Sequence, residues 1–125
     1  MTLRAGKRWT EARYRTFIRS ALRSSFRKWP PKFDVLRNSQ TEKRTNSATG
    51  RIAMHYMCAV CKKDFPAKQV QVDHIKPVVD LKAGFVSWDE FINRLLCEAK
   101  GLQVLCKPCH NVKSGKERGK RARLK

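Results

Sequence analysis

Two pairs of closely spaced cysteines constrain this chain more than any other feature. Cys58 and Cys61 form the first Cys-x-x-Cys pair, and Cys106 and Cys109 form the second. Four thiolates can enclose a Zn²⁺ ion tetrahedrally and leave no coordination position open, which is typical of a structural site. A single pair could be a redox motif, but two pairs favour a metal site. We therefore expect one structural zinc ion that clamps together the two ends of a long intervening segment.

Three polar residues near these cysteines would be free for chemistry. Asp73 and His74 end a short run in which apolar and polar residues alternate, and His110 directly follows the last cysteine. A lone Asp-His pair is usually an ordinary turn or a satisfied polar pair. Its position between the two cysteine pairs favours a functional role here. We therefore take Asp73, His74 and His110 as candidate catalytic residues.

The order of these motifs carries a resemblance. The first Cys-x-x-Cys pair is followed by Asp-His-Ile-x-Pro from Asp73, and then by Leu-Gln-x-Leu-Cys-x-x-Cys-His-x-x-Lys from Leu102. Over residues 55–116, about half of the chain, this pattern resembles the HNH endonuclease family, of the small type found in bacteriophages. The resemblance implies an α+β protein with a ββα-metal core, in which two strands and a helix surround one catalytic divalent cation. The zinc site of four cysteines would staple this core.

The resemblance also implies how the site would work. His74 would act as general base, because imidazole titrates close to neutral pH. Asp73 and His110 would hold the divalent cation, with Mg²⁺ or Mn²⁺ favoured, although Ni²⁺ or Zn²⁺ could also bind. Lys113 would meet a phosphate as a point charge. The family usually has asparagine where this chain has Gly101, which implies a less firmly braced loop around the catalytic histidine.

The charge of the chain indicates a polyanionic partner. The 29 Lys and Arg residues exceed the 10 Asp and Glu residues, which gives a formal net charge of +19 at pH 7. Nucleic acid is the first candidate partner for such a surface, and an anionic membrane is the second. Residues 1–50 carry 13 basic and 3 acidic side chains, and residues 111–125 carry 7 basic and 1 acidic. The residues predicted to bind DNA are Arg13, Arg19, Arg23, Arg27, Lys113, Lys116, Arg118, Lys120 and Arg121.

The N-terminal part of the chain reads as a basic helical extension. Residues 1–8 are expected to be loose, and Thr10 can cap the helix that follows it. Apolar residues recur at steps of three and four until Pro30 and its neighbouring proline stop this helix. Residues 33–36 are expected to form a short helical turn. Residues 38–50 are polar and rich in loop formers, and are expected to form a linker or an extended arm.

Apolar periodicity and helix-capping residues predict the remaining strands and helices. Strands are expected over residues 70–75 and 102–105. Ser87 begins a capping box, and the helix after it is expected to end at Gly101. The last helix is expected to begin near Lys107, because proline favours a first helical turn. The capped helix is expected to bury Phe91, Ile92, Leu95 and Leu96.

We expect the protein to stay in the cytoplasm, that of the host cell if a phage encodes it. No run of about 18 apolar residues exists, and the N-terminus has no apolar core of a secretory signal. In a reducing compartment the thiols stay available for metal, and the leftover Cys97 is expected to be a buried apolar residue. A basic amphipathic helix lying on a membrane is the less favoured use of the N-terminal helix.

These features favour a metal-dependent DNA endonuclease that either nicks one strand or cuts both. Residues 1–50 would form a DNA-contacting arm, and residues 51–125 would form the nuclease domain with a basic tail. Two biological roles stay open: a phage homing endonuclease, and a packaging nuclease that works beside a terminase. The alternative from another class is a catalytically inactive, zinc-containing module that binds nucleic acid, and Gly101 is its best support.

Overall fold

The computed structural model describes the backbone of residues 3–124 and the side chains of residues 3–122. Met1, Thr2 and Lys125, at the ends of the predicted loose start and basic tail, lie outside the described residues. The described part is α+β, as predicted, with four α-helices and small antiparallel sheets. Its elements are β1 (Leu3–Arg4), β2 (Trp9–Thr10), α1 (Glu11–Ser25), α2 (Pro30–Asn38), β3 (Gln40–Thr45), β4 (Ile52–Met57), β5 (Asp64–Pro66), β6 (Val70–His74), α3 (Trp88–Leu95), β7 (Leu102–Cys106) and α4 (Lys107–Leu124).

The start of the described chain is a short hairpin, so the prediction that residues 1–8 are loose is wrong from residue 3 onward. Strands β1 and β2 pair antiparallel. The Arg4 guanidinium donates to the Glu11 carboxylate at 3.0 Å, and the Trp9 ring packs on Phe17 with ring centroids 5.0 Å apart. These contacts fasten the hairpin to the first turns of α1. The polar composition of the segment gave no sign of them.

The two helices of the N-terminal extension begin after a capping threonine and at a proline. The Thr10 hydroxyl accepts a hydrogen bond from the backbone N–H of Arg13 at 3.2 Å, which confirms the predicted cap of α1. Trp29 is extended, because a residue before proline disfavours the helical region, and Pro30 then opens α2 as its first residue. The proline pair therefore ends one helical stretch and starts the next. The short turn predicted over residues 33–36 is part of this nine-residue helix.

Residues 38–50 are not a linker, which corrects that prediction. Strand β3 pairs antiparallel with β4, with Lys43 opposite Met54, and β4 pairs with β5. All six side chains of β3 are exposed, so the strand is held by backbone pairing and carries no alternation of apolar residues. The pairing of β3 with β4 crosses the domain boundary predicted at residue 50. That division stays a prediction.

One buried cluster joins α1 to α3. Phe91 and Leu95 of α3 are 2% and 1% exposed, and Val78 packs with them. Leu22 and Phe26 reach this cluster from the N-terminal extension. The Ser87 hydroxyl accepts from the backbone N–H of Glu90 at 3.1 Å, which confirms the predicted cap. Of the four residues predicted to be buried, Ile92 and Leu96 are only partly covered.

Helix α3 ends at Leu95, so the prediction that it continues to Gly101 is wrong. Leu96 leaves the helical region with φ −100° and ψ 61°. The Cys97 carbonyl, which a longer helix would use internally, instead accepts a hydrogen bond from the Trp29 indole at 2.7 Å. Gly101 closes a separate 3-10 turn that leads into β7. The carbonyl that follows the helix end is therefore satisfied by a tertiary contact.

Strands β6 and β7 and helix α4 form one continuous unit. The strands pair antiparallel, with Asp73 opposite Gln103 and His74 opposite Leu102. Helix α4 begins at Lys107, directly after β7 ends. The register places the start of α4 beside the start of β6, and α4 then returns toward the end of β6, where Lys113 donates to the His74 carbonyl at 3.1 Å. None of the helices between residues 3 and 124 is long and apolar enough to cross a membrane.

Candidate functional site

The four predicted cysteines form a cluster that could hold a metal ion such as zinc. Their sulfur atoms all lie within 4.8 Å of one another. The Cys61 and Cys106 sulfurs are 3.9 Å apart. Zinc–sulfur bonds of about 2.3 Å in a tetrahedral site place neighbouring sulfurs about 3.8 Å apart, so this arrangement fits such an ion. Cys58 and Cys106 are buried, which is typical of a structural site.

Local backbone contacts build this cluster. The turn that carries Cys58 and Cys61 is closed by the Lys62 N–H, which donates to the Cys58 carbonyl at 3.0 Å, and Lys62 takes a positive φ of 61°. The N–H of Ala59 donates to the Val104 carbonyl at 2.8 Å, which fastens this turn to β7. The second cysteine pair spans the junction of β7 and α4. The cluster therefore ties the β4–β5 turn to the unit formed by β6, β7 and α4.

The four thiols differ in how readily they ionise. Burial opposes ionisation of Cys58, but backbone N–H groups, that of Cys106 foremost, donate to its sulfur and lower its pKa to about 6. The pKa of Cys109 is raised to about 12 by its hydrogen bond with Cys106 and by burial. The thiolate form of Cys58 is thus favoured near neutral pH. A bound cation would favour the thiolate form of its cysteine ligands.

Asp73 uses its two carboxylate oxygens differently. Oδ2 lies 3.1 Å from the Lys113 ammonium nitrogen and accepts from the Gln103 amide at 3.4 Å. Oδ1 lies 3.7 Å from Nε2 of His110. Asp73 Oδ1 and His110 Nε2 are the two donor atoms of this group that could contact one cation. The carboxylate is therefore held through one oxygen and presents the other to the histidine.

His74 is fixed by a hydrogen bond and by ring packing. Its Nε2 lies 2.7 Å from the Leu95 carbonyl oxygen. Because a carbonyl can only accept, Nε2 carries the proton, and Nδ1 is the basic nitrogen of the neutral ring. The Phe26 ring packs against the imidazole with centroids 4.6 Å apart and a tilt of 41°. The imidazole therefore has one defined tautomer and one covered face.

Lys113 lies between two carboxylates. Its ammonium group contacts Asp73 and Glu117 and donates to the His74 carbonyl at 3.1 Å. Burial alone would lower the pKa of Lys113, but the two carboxylates raise it above its ordinary value. This lysine therefore connects α4 to the exit of β6. Its predicted contact with a phosphate stays a prediction.

Three of the predicted DNA-binding residues, on α1 and α4, lie close enough for their charges to interact. Partial desolvation and the guanidinium charges of Arg19 and Arg121 lower the pKa of Arg23. The Arg23 guanidinium lies 5.5 Å from the centroid of the Phe91 ring, and Arg121 donates to the Val79 carbonyl at 2.8 Å. We call Arg19, Arg23 and Arg121 the arginine cluster. Five other predicted DNA-binding residues are exposed, as Arg23 and Arg121 also are: Arg13, Arg27, Lys116, Arg118 and Lys120.

Gly101 and Cys97 are packed against each other. A Cβ atom at position 101 would lie 2.9 Å from the Cys97 sulfur, closer than side chains approach, so glycine suits this position. Cys97 is partly buried, where full burial was predicted, and burial raises its pKa. A cavity of about 840 Å³ opens beside these two residues, and its lining includes Ile75 and Lys100. The predicted catalytic residues do not line this cavity.

The structure brings the predicted site residues into two groups. The cysteines form one. Asp73, His110 and Lys113 form the other, and His74 joins it through its backbone carbonyl, which accepts from Lys113. The contacts of these residues with Gln103, Leu95, Glu117 and Phe26 were not predicted. Glu117 lies four residues after Lys113, and this helical spacing was a usable signal. Phe26 is distant in sequence and gave none. Comparisons with protein-family models, curated proteins and solved structures found no match.

Proposed function

We propose that this protein is a metal-dependent endonuclease that hydrolyses phosphodiester bonds in DNA. The strands β6 and β7 and helix α4 would be the ββα-metal core implied by the resemblance to HNH endonucleases. The observation that carries this proposal is the state of His74. Its Nε2 is tied to the Leu95 carbonyl, which leaves Nδ1 as the basic nitrogen of the neutral ring.

Hydrolysis of a phosphodiester needs an activated water and compensation of the phosphate charge. His74 would take the proton of the attacking water at Nδ1. The Leu95 carbonyl, 2.7 Å from Nε2, would then stabilise the imidazolium that forms. Asp73 and His110 would hold a divalent cation, Mg²⁺ or Mn²⁺, that supplies Lewis-acid polarisation and orientation of the substrate.

Lys113 would act in this site by orienting Asp73. Its ammonium group engages Oδ2 of the carboxylate and the His74 carbonyl, so Oδ1 is directed toward His110. Glu117, one helical turn further along α4, contacts the same ammonium group and shares its charge. A phosphate entering the site would compete with these carboxylates for Lys113, which is how the predicted point-charge contact would arise.

The cysteine cluster would hold one structural Zn²⁺ ion in this protein. Sulfur spacing, burial and the absence of an open coordination position in a four-thiolate site support this assignment. Cys109 immediately precedes His110 on the first turn of α4. An ion bound by the cluster would therefore fix the backbone from which a cation ligand projects.

DNA would bind across α1 and α4. The arginine cluster gathers like charges from both helices, and an anion between them would offset their repulsion. Guanidinium groups suit phosphate oxygens, and such contacts give affinity without reading sequence. The basic N-terminal extension favours a homing endonuclease over a packaging nuclease that works beside a terminase.

A second candidate function is a zinc-containing module that binds nucleic acid without cutting it. The observation that favours it is the ion pair between Lys113 and Asp73 at 3.1 Å. That pair offsets the carboxylate charge that a catalytic cation would need. In this function the arginine cluster would keep its role, and His74 would be a structural residue.

A plasmid-nicking assay with the zinc-loaded protein separates the two candidates. We expect supercoiled DNA to be nicked when Mg²⁺ or Mn²⁺ is added and to stay intact without them. Asp73→Asn should cut more slowly and regain part of its rate at raised Mn²⁺, because it weakens a cation ligand. The control Asp64→Asn changes a carboxylate that pairs with Thr41 on β3, and should cut at the parental rate. DNA binding without nicking under all these conditions would favour the binding module.

A further inference from the structure

We infer that Trp29 is a positioning residue for His74: its indole N–H fixes, from the N-terminal extension, the backbone segment to which the imidazole is bonded. Phe26, three residues earlier, completes this support by covering one face of the ring. The kinetic consequence of this support rests on the proposed function. The support itself is a matter of geometry and can be tested in a protein that cuts nothing.

The His74 imidazole is hydrogen-bonded to the end of α3. Nε2 of His74 donates to the carbonyl of Leu95, the last residue of α3. In a longer helix this carbonyl would accept from the amide four residues later. Because the chain leaves the helical region at Leu96, the carbonyl is available to the histidine. The tautomer of His74 therefore depends on how the segment after α3 is held.

The other end of the same segment contacts the backbone next to His74. The carbonyl of Gly101 accepts from the backbone N–H of Ile75, the residue after His74, at 2.9 Å. Residues 95–101 thus make two contacts with this region. Leu95 contacts the His74 imidazole, and Gly101 contacts the backbone N–H of Ile75. We call residues 95–101 the support segment. A displacement of this segment would move the histidine ring and the backbone that carries it together.

Trp29 fixes the middle of the support segment. The Trp29 indole donates to the Cys97 carbonyl at 2.7 Å, across 68 positions of sequence. Position 101 cannot supply a bracing side chain, because a Cβ there would lie 2.9 Å from the Cys97 sulfur. Trp29 is itself held in the extended conformation immediately before Pro30. A rigid donor from outside the segment therefore holds it at its centre.

Phe26 contacts the His74 imidazole directly. The Phe26 ring lies 4.6 Å from the His74 ring and also packs against the buried cluster of Val78, Phe91 and Leu95. Phe26 begins a single 3-10 turn and Trp29 directly follows it, so one short stretch touches both the imidazole and its support segment. The N-terminal extension would therefore have a role beyond DNA contact, because it sets the position of the general base.

The deciding variant is Trp29→Phe, which keeps an aromatic ring and removes the N–H donor. Nitrogen–proton correlation spectra of the histidine rings report the tautomer. We expect the His74 signals of the zinc-loaded parent to show the proton on Nε2, and those of the variant to shift toward a mixture of tautomers. We expect the nicking rate at saturating DNA to fall about tenfold, of the order that a lost hydrogen bond produces, with KM unchanged.

Trp9→Phe is the matched control, because Trp9 lies on the same extension but packs on Phe17. It should change neither the His74 signals nor the rate. Phe26→Leu gives a second variant if Trp29→Phe folds poorly: it keeps an apolar side chain and should shift the ring protons of His74. Parental His74 signals in a folded Trp29→Phe or Phe26→Leu protein would overturn the inference. Shifted signals in a protein that never nicks DNA would uphold the support and refute the proposed function.

Discussion

Replacing the arginine cluster with glutamine is expected to change how DNA affinity depends on salt. Arg19 and Arg23 project from α1 and Arg121 from α4, and their charges are close enough to lower the pKa of Arg23. Glutamine keeps a polar side chain and removes the charge. If each guanidinium neutralises one phosphate, the triple variant should release three fewer counterions when it binds DNA.

The magnitude follows from the number of phosphates lost. Each neutralised phosphate of duplex DNA contributes about 0.9 to the slope of log affinity against log salt concentration. Three lost contacts should therefore make the slope shallower by about 2.7. Between about 50 and 200 mM salt, the variant should lose about 40-fold less affinity than the parent. Fluorescence anisotropy with a labelled duplex over a salt series measures this difference.

A matched control removes the same number of charges elsewhere. Arg4, Arg37 and Arg44 each already pair with a carboxylate, at 3.0, 3.4 and 2.7 Å. Their triple glutamine variant should keep a nearly parental slope, because these charges are offset within the protein. Equal flattening in both variants would show that net charge acts without regard to position. A parental slope in the cluster variant would show that the arginine cluster faces away from DNA.

Three further outcomes are expected. Cys106→Ser should lower the bound zinc measured by elemental analysis below one ion per chain and should lower the melting temperature, because structural metal binding is coupled to folding; zinc-free parent with unchanged melting would contradict this. The Thr41 hydroxyl donates to Asp64 at 2.7 Å and lowers the pKa of its carboxyl group. This interaction stabilises the fold at pH values above 3.8, the pKa of the carboxyl in the unfolded chain, and the stabilisation is lost as pH falls through the pKa of the folded protein. Thr41→Val should therefore raise the Asp64 pKa in an NMR titration and melt lower than the parent at neutral pH but not in strong acid. Residues 51–125 alone should melt well below the full chain, because β3 and the Leu22 and Phe26 contacts are gone; parental melting would instead support an independent domain.

The cysteine cluster and the helix starts were predictable because their signals are local. Two residues between paired cysteines suit a turn around one metal ion, and the four sulfurs do converge. Thr10 and Ser87 cap their helices as their positions predicted, since a side-chain oxygen can accept from the amide three residues later. The β6 and β7 strands began where their apolar alternation begins.

The missed features depend on partners distant in sequence. Strand β3 has no apolar residue, and its pairing with β4 joins segments that are separate in sequence. Helix α3 stops before Gly101, and the Trp29 indole donates to the Cys97 carbonyl beyond its end, a contact that neither residue signals locally. The Phe26 contact with His74 likewise exists only after α1 has packed on α3. Short-range patterns therefore predicted the cysteine cluster, but not the contacts that hold the His74 imidazole in place.

His74 is the general base in the proposed mechanism. The rate at which parent and His74→Ala proteins nick supercoiled plasmid with Mg²⁺ or Mn²⁺ present tests this role. We expect His74→Ala to lose a factor of about 10²–10⁴ in rate, with zinc content, melting temperature and DNA affinity close to parental values. Nicking by His74→Ala at the parental rate would refute this role of His74.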